Sequence, residues 1–207
     1  MYLPDVFREE RLEVLHDLIR HYPLATLVTA GPQGLNANPI PFFLAEAGDK
    51  GTLRAHLAKG NPQVVDLRAG CVALVIFSGP QAYVTPSWYP SKAEHGKVAP
   101  TWNYATVQVR GQPRIIDDSQ WLLALLGDFT DSQEQARPHP WRVSDAPEDY
   151  LAAALRGLVG LEIPIESMIG KWKVSQNRSA TDRRGVARGL AEDDRDAAMA
   201  ALVAATL

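Results

Sequence analysis

The chain has 207 residues, 46% of them apolar and 22% charged, with a formal net charge of −3. This is an ordinary globular composition, long enough to bury a large core without staples, and its sign argues against broad, non-specific nucleic-acid affinity. The single cysteine, Cys71, excludes an internal disulfide, and apolar runs such as "CVALVIF" are far too short to span a membrane.

The N-terminus "MYLPDVFREERLE" lacks the basic-then-apolar pattern of a secretory signal, so a cytoplasmic location is expected. Leu12, Leu15, Leu18, Ile19 and Tyr22 recur at helical spacing and predict an amphipathic helix over 8–22. Then "LATLVTA" predicts a strand, "GPQG" a turn and "LNANPIPFFLA" a second strand. Pro39 and Pro41 cannot donate to a ladder, which puts that strand at an edge or gives it a bulge. "EAGDKG" predicts a turn and "TLRAHLA" a third strand. Asn61 suits an N-cap and Pro62 a first helical position, so "NPQVVDLRAG" predicts a short helix. "CVALVIFSGP" reads as a buried strand that also buries the Cys71 thiol, followed by a tight turn at Gly79-Pro80 and a further run "QAYVTPSWY".

An irregular, aromatic-rich segment leads to "YATVQVRGQPRIID", which alternates as a strand does. Asp118 caps a helix through Trp121, Leu122, Leu125, Leu126 and Phe129. A loop then leads to another helix, capped by Ser144 or Asp145 with Pro147 in its first turn. "LVGLEIPIESMIGKWKV" predicts a strand pair or one long bent strand, and an alanine-rich helical tail ends the sequence. About six or seven strands joined by short turns favour antiparallel pairing. The fold class expected is mainly β with peripheral helices, closed as a small antiparallel barrel.

No dinucleotide or P-loop glycine motif occurs, no histidine spacing suits a metal, and no nucleophile elbow is present, so no catalytic or metal residue is assigned. Three stretches could carry chemistry. In "LRAHLAKGNPQ", Lys59, Gly60 and Asn61 sit where a strand meets a helix N-terminus, with His56 and Arg54 on the strand. A phosphate suits that junction, and so does an ordinary capped helix. In "TPSWYPSKAEHGKVAPTWNY", Trp88, Tyr89, Trp102 and Tyr104 offer flat faces, and Lys92 and Asn103 offer polar contacts. These rings either stack on a flat ligand or pin a loop to the core. In "GKWKVSQNRSATDRR", Lys171, Lys173, Gln176 and Arg178 border a strand, while Arg183 and Arg184 suit a solvated helix face. Phosphate donors, flat apolar surface and amide partners together are what a flavin mononucleotide (FMN) needs.

The stretches "MYLP", "HLAKGNPQ", "GPQAYVTPSWYPSK", "GKVAPTWNYATVQVRG", "PWRVSDAPEDY", "VGLEIPI" and "GKWKVSQNR" resemble the PaiB family of FMN-binding, split-barrel negative transcriptional regulators. The resemblance covers residues 1 to about 190. It implies a homodimer of antiparallel split β-barrels, with an FMN-binding domain over 1–180 and a C-terminal helical extension over 181–207 packed on it. It implies that His56, Lys59 and Asn61 hold the FMN phosphate. Lys171, Lys173 and Gln176, with Arg178, would reach the flavin, and Trp88, Lys92, Trp102 and Asn103 would wall the pocket or the dimer interface. Members are expected to read A-x-H-[IL]-P where this chain has "ANPIP". Pro39 removes the imidazole there, and Asn38 is the candidate replacement. The function expected is that of a PaiB-type regulator, acting indirectly, since no helix-turn-helix text supports DNA binding. An FMN-dependent oxidoreductase, a flavin reductase or a pyridoxamine-phosphate-oxidase-like enzyme, is the alternative. A haem-handling barrel using His56 or His95 is a third reading.

Overall fold

The computed structural model describes residues 1–32 and 34–207. Gln33 of the expected "GPQG" turn lies outside the described residues. In chain order the elements are strand β1 (Arg8–Glu9), helix α1 (Leu12–His21), β2 (Leu24–Gly31), β3 (Gly34–Pro41), β4 (Phe43–Ala45), β5 (Thr52–Ala58), α2 (Gln63–Arg68), β6 (Ala73–Val84), α3 (Ser91–His95) and β7 (Thr101–Gly111). Then follow β8 (Arg114–Ile116), α4 (Ser119–Glu134), α5 (Glu148–Arg156), β9 (Leu158–Pro164), β10 (Ser167–Lys173), α6 (Ala180–Glu192) and α7 (Ala197–Ala204). The pairings β1–β10, β2–β3, β2–β6, β4–β5, β5–β9 and β8–β9 are all antiparallel. The chain is thus mainly antiparallel sheet with peripheral helices, and no helix among the described residues is long and apolar enough to cross a membrane.

Two compact units divide the chain, one of residues 1–21, 78–107 and 169–207, the other of 22–77 and 108–168. Strands β6, β7 and β10 contribute residues to both. The second unit holds the four-stranded sheet β4-β5-β9-β8, and β2 lies between β3 and the start of β6. Alternation buries Leu53, Ala55 and Leu57 of β5 together with Leu161 and Ile163 of β9. Helix α2 is fastened by a buried polar network. The Gln63 amide, 0% exposed, donates to the carbonyls of Leu27 at 3.0 Å and Asn36 at 3.2 Å and accepts from Asn38 at 2.9 Å. Thr29 donates to Asp66 at 2.9 Å beside it.

In the first unit β10 lies between β1 and β7, with β6 beyond. A core of Val84, Tyr89, Val174, Val186, Leu190, Met199 and Val203 joins β6, α6 and α7. Trp88 packs against this core and seats its ring on α6. A Cβ built on Gly189 would lie 2.3 Å from the Trp88 ring, and one on Gly185 would lie 2.0 Å from the Trp88 carbonyl oxygen. Glycine is required at both for this close approach.

Several expectations change. The first helix starts at Leu12, because Arg8 and Glu9 pair with Lys171 and Gly170 of β10. The strand expected over 35–45 is two, interrupted at Phe42, whose N–H donates to the Pro23 carbonyl and whose ring is buried. Strand β3 ends its sheet's order, as Pro39 and Pro41 require. No turn forms at Gly79-Pro80, and β6 runs straight through. Gly79 instead admits Leu18, whose Cδ1 would be 2.9 Å from a Cβ there. Cys71 is half-buried and precedes β6 rather than opening it. Asp145 closes a 3-10 turn by accepting from the Arg142 N–H at 2.9 Å, so Pro147 precedes α5 instead of lying in its first turn. Strands β9 and β10 do not pair, since β9 joins β5 and β8. The helical tail is two helices, and Asp196 caps the second by accepting from the Met199 N–H at 2.9 Å.

The glycines give a paired test. Gly189→Ala forces the Trp88 ring off α6 and should cost about 1–3 kcal/mol in urea unfolding. Gly127→Ala, inside α4 with no atom within 4 Å of the new methyl, should stabilise by about 0.5–1 kcal/mol.

Candidate functional site

The richest set of polar groups in the first unit gathers where β7 begins and β10 ends. Asn103 is fully buried and donates through Nδ2 to Ser175 Oγ at 3.0 Å. Ser175 lies just past β10 with φ of 69°, a left-handed backbone that a serine adopts at a cost of about 1–3 kcal/mol. The Arg178 N–H donates to the Ser175 carbonyl at 2.9 Å and closes the turn. Gln176 clasps the same turn, accepting from the Val174 N–H at 2.7 Å and donating to the Trp172 carbonyl.

Three cations stand around this turn. Lys173 Nζ donates to Thr101 Oγ1 and to the Trp102 carbonyl at 2.6 Å. Lys171 is buried, donates to the Tyr2 carbonyl at 3.1 Å, and lies 5.3 Å from the Tyr104 ring and 5.6 Å from the Tyr2 ring. The Arg178 guanidinium lies 4.9 Å from the Tyr89 ring. None of the three has an ion-pair partner among the described residues. Burial, then the charges of Lys171 and Arg178, push the Lys173 ammonium below its ordinary range. Such a group of half-buried positive charges attracts an anion. Beside it Trp102 is 55% exposed and meets Tyr83, 46% exposed, edge to face at 6.0 Å.

Asp182 is the carboxylate whose charge Arg178 feels, but its oxygens are spent elsewhere. They accept from the Ser91 N–H at 3.1 Å and the Ser91 hydroxyl at 2.9 Å. Burial raises its carboxyl. The bonds from Ser91 and Ser179 and the charge of Arg178 outweigh that and hold it below the usual range. Tyr89 is buried with its hydroxyl unpartnered, and burial pushes that hydroxyl up while Arg178 pulls it down.

The first unit therefore brings together Trp102, Asn103, Lys171, Lys173, Gln176 and Arg178. Trp88 serves the joint with α6, its Nε1 donating to Asp193 at 2.7 Å, while exposed Lys92 reaches only Ser87 Oγ, at 3.5 Å. Arg183 is not the solvated residue expected. It donates to the Thr206 carbonyl and its Nε is buried without a partner.

The second unit holds the other three candidates. His56 lies on β5 opposite Gly160, half-buried, and burial lowers its imidazole so that the neutral ring prevails at neutral pH. Lys59 Nζ donates to the Arg156 carbonyl at 2.8 Å, and its N–H to the Gly157 carbonyl at 2.9 Å, at the end of α5. Asn61 Oδ1 caps α2 through the Gln63 N–H at 3.0 Å. Asn38, next to Pro39, spends its amide on Gln63 and Asn36.

Thr101, Ser175 and Tyr2 were not singled out by sequence. Ser175 follows the strand within "VSQNR" and carries no periodicity that marks a left-handed residue. Tyr2 sits in "MYLP", far along the chain from Lys171.

Residues 1–167 match the family model described as "Putative FMN-binding domain". The chain belongs to this family. Within reach of it, the chain is 36% identical to an uncharacterized protein of Aspergillus fumigatus, over 92% of this chain and 90% of that one. It is 29% identical to the Protease synthase and sporulation protein PAI 2 of Bacillus subtilis, over 94% and 91%. That match bears out the PaiB resemblance. Among solved structures the fold is similar to that of the FAD and Heme binding protein from Mycobacterium smegmatis, with TM-score 0.56 and 24% identity over 80% of this chain and 73% of that one.

The lowered Asp182 carboxyl gives a pH test. Its native value lies below the unfolded value of about 3.9, so its contribution is complete above that pH and disappears as pH falls through the native value. The gap in urea midpoint between wild type and Asp182→Asn should therefore be wide at pH 6 and should narrow at pH 3.

Proposed function

We propose that this family member binds a flavin, with FMN as the ligand, and acts as a ligand-responsive regulator of the PaiB type. The observation that carries the flavin reading is the group of Lys171, Lys173 and Arg178, without an ion-pair partner among the described residues, with Lys173 bonded to the carbonyl of the exposed Trp102. These groups fit the ligand's chemistry: an anionic phosphate and a carbonyl-rich ring edge take charge-assisted hydrogen bonds, and a flat ring system takes aromatic faces. In this reading Lys173 and Arg178 present donors, Trp102 presents a face, and Asn103 and Gln176 hold the turn that aims them. Trp88 braces the wall through α6, and exposed Lys92 is the further polar contact proposed on that wall.

Taken by itself, the second unit offers donors that suit a phosphate. Lys59 spends one of its three ammonium donors on the Arg156 carbonyl, leaving two. Asn61 caps with its oxygen, leaving its amide N–H groups, and neutral His56 can donate or accept. A bound flavin supplies electron-transfer chemistry of its own, and the residues named here bind and orient it. A split-barrel homodimer in the cytoplasm, with residues 181–207 as a helical extension, completes the proposal. The exposed Tyr83–Trp102 pair suits a second copy or the flavin itself.

Direct DNA reading by α6 is disfavoured, because Gly185 and Gly189 seat Trp88 and Arg183 is tied to Thr206. Regulation in this reading is indirect. The second reading is an FMN-dependent oxidoreductase, in which the bound flavin carries the chemistry. NADH or NADPH oxidation by the FMN-loaded protein, above that of free FMN, would select it.

FMN titration followed by flavin fluorescence tests the reading. Saturable quenching at one FMN per chain is expected. Lys173→Ala should weaken it roughly tenfold or more, the loss of one charge-assisted bond worth about 1.5–3 kcal/mol. Absence of saturable binding would overturn the flavin reading.

A further inference from the structure

The second unit carries a separate pocket of about 360 Å³ at the start of β5, formed with the turn over 47–51 and with β8 and β9. Register sets a single row of charges across its floor. Glu162 of β9 lies opposite Arg54 of β5 on one side and opposite Arg114 of β8 on the other. In an antiparallel sheet, opposed residues share a face.

The row is not a closed salt-bridge triad. Glu162 Oε2 accepts from Arg54 Nε at 3.1 Å, and the two side chains are 30% and 18% exposed for Arg54 and Glu162. The Arg54 guanidinium also lies 5.8 Å from the Trp121 ring. Arg54 is thus held from two sides through Nε and its flat face. Its terminal nitrogens make no hydrogen bond among the described residues. Arg114 is exposed and forms no ion pair among them, although it lies opposite Glu162. The charged groups lining the pocket are Arg54, Arg114, Lys50, Asp49 and Glu162, three positive against two negative. Lys50 lies at the turn, with Nζ on the Glu166 carbonyl at 2.8 Å. Pro164 and Ile165 add an apolar wall.

We propose that this pocket binds a small-molecule oxyanion, a carboxylate or a phosphate monoester, between Arg54 and Arg114. A guanidinium fixed through Nε presents its other donors in a planar fork that matches two oxyanion oxygens. Burial of the Arg54–Glu162 pair restricts motion of the first fork before the ligand arrives. Arg114 supplies the charge that Glu162 does not neutralise. The apolar wall leaves room for a short carbon skeleton attached to the anion. The pocket is distinct from the Lys59 junction: Arg54 and Lys59 are five residues apart on one extended run, roughly 17 Å. The proposal does not rest on flavin binding.

The test is an amide NMR titration of the full chain at ionic strength held constant with sodium chloride. The probes are inorganic phosphate and succinate. Saturable shifts are expected at Gly48, Gly51 and Thr52. Arg114→Gln, on the surface, should weaken binding roughly tenfold while leaving the rest of the spectrum and the FMN titration unchanged. Arg54→Lys, which keeps the charge and loses the fork, should weaken it similarly. Saturation by phosphate alone assigns phosphate esters, and saturation by succinate alone assigns carboxylates. Shifts that fail to saturate with either probe overturn the proposal. So do shifts unaltered by Arg114→Gln, or shifts centred on Lys59 or Lys173.

Discussion

The buried bond between Asn103 and Ser175 is the constraint on which the first unit's polar site depends. An Asn side chain with no solvent exposure must find partners or forfeit several kcal/mol of hydration. Asn103 finds one in a serine whose backbone is itself unfavourable. The left-handed turn at Ser175 ends β10 and sends the chain back, so Lys173 lies on one side of the turn and Arg178 on the other. With an ordinary extended residue at 175 the chain would continue as strand and carry Arg178 roughly 17 Å along from Lys173. Strain at one residue thus gathers cations that the sequence separates.

A second constraint follows from the first. Cations with no carboxylate partner repel one another, and the ammonium of Lys173 is lowered first by its burial and then by the charges of Lys171 and Arg178. The protein offsets the repulsion with the carbonyls of Tyr2 and Trp102, the hydroxyl of Thr101 and the ring faces of Tyr104 and Tyr89. Neutral acceptors and π faces stabilise positive charge without cancelling it. The field therefore remains available to an anion. Asp182, the carboxylate placed to quench Arg178, is committed to Ser91, which ties the aromatic segment to α6. The packing role of that carboxylate and the openness of the cation site have one cause.

Period and punctuation made most of the elements legible. The β5 strand, the Asp118 cap and the edge position of β3 follow from alternation, an acceptor before a helix and two prolines. What sequence concealed was long-range. Gly79, Gly185 and Gly189 look like breakers, and locally glycine is one. Each is needed because a side chain or a carbonyl from a distant segment approaches within the space of a methyl group. Lys59 reads as a phosphate lysine, and only the packed chain shows that α5 ends beside it with a carbonyl that takes one of its donors. The candidate residues in 171–178 were legible as a basic cluster, but not the turn that makes them converge.

The aromatic-rich segment at 85–104 resolves into two roles with different physics. Trp88 and Tyr89 are anchors: one seats on glycine and donates to Asp193, and the other is buried in the core. Their contribution is burial, and replacing them acts on stability. Trp102 is the reverse case, a large ring more than half exposed, paired only edge-on with an exposed Tyr83. Exposing such a ring forgoes roughly 25 cal/mol for each Å² left wet, which a folded chain gains back only when something covers it. Lys173 donates to the carbonyl of this same residue, so a surface that covers the ring also comes close to a positive charge.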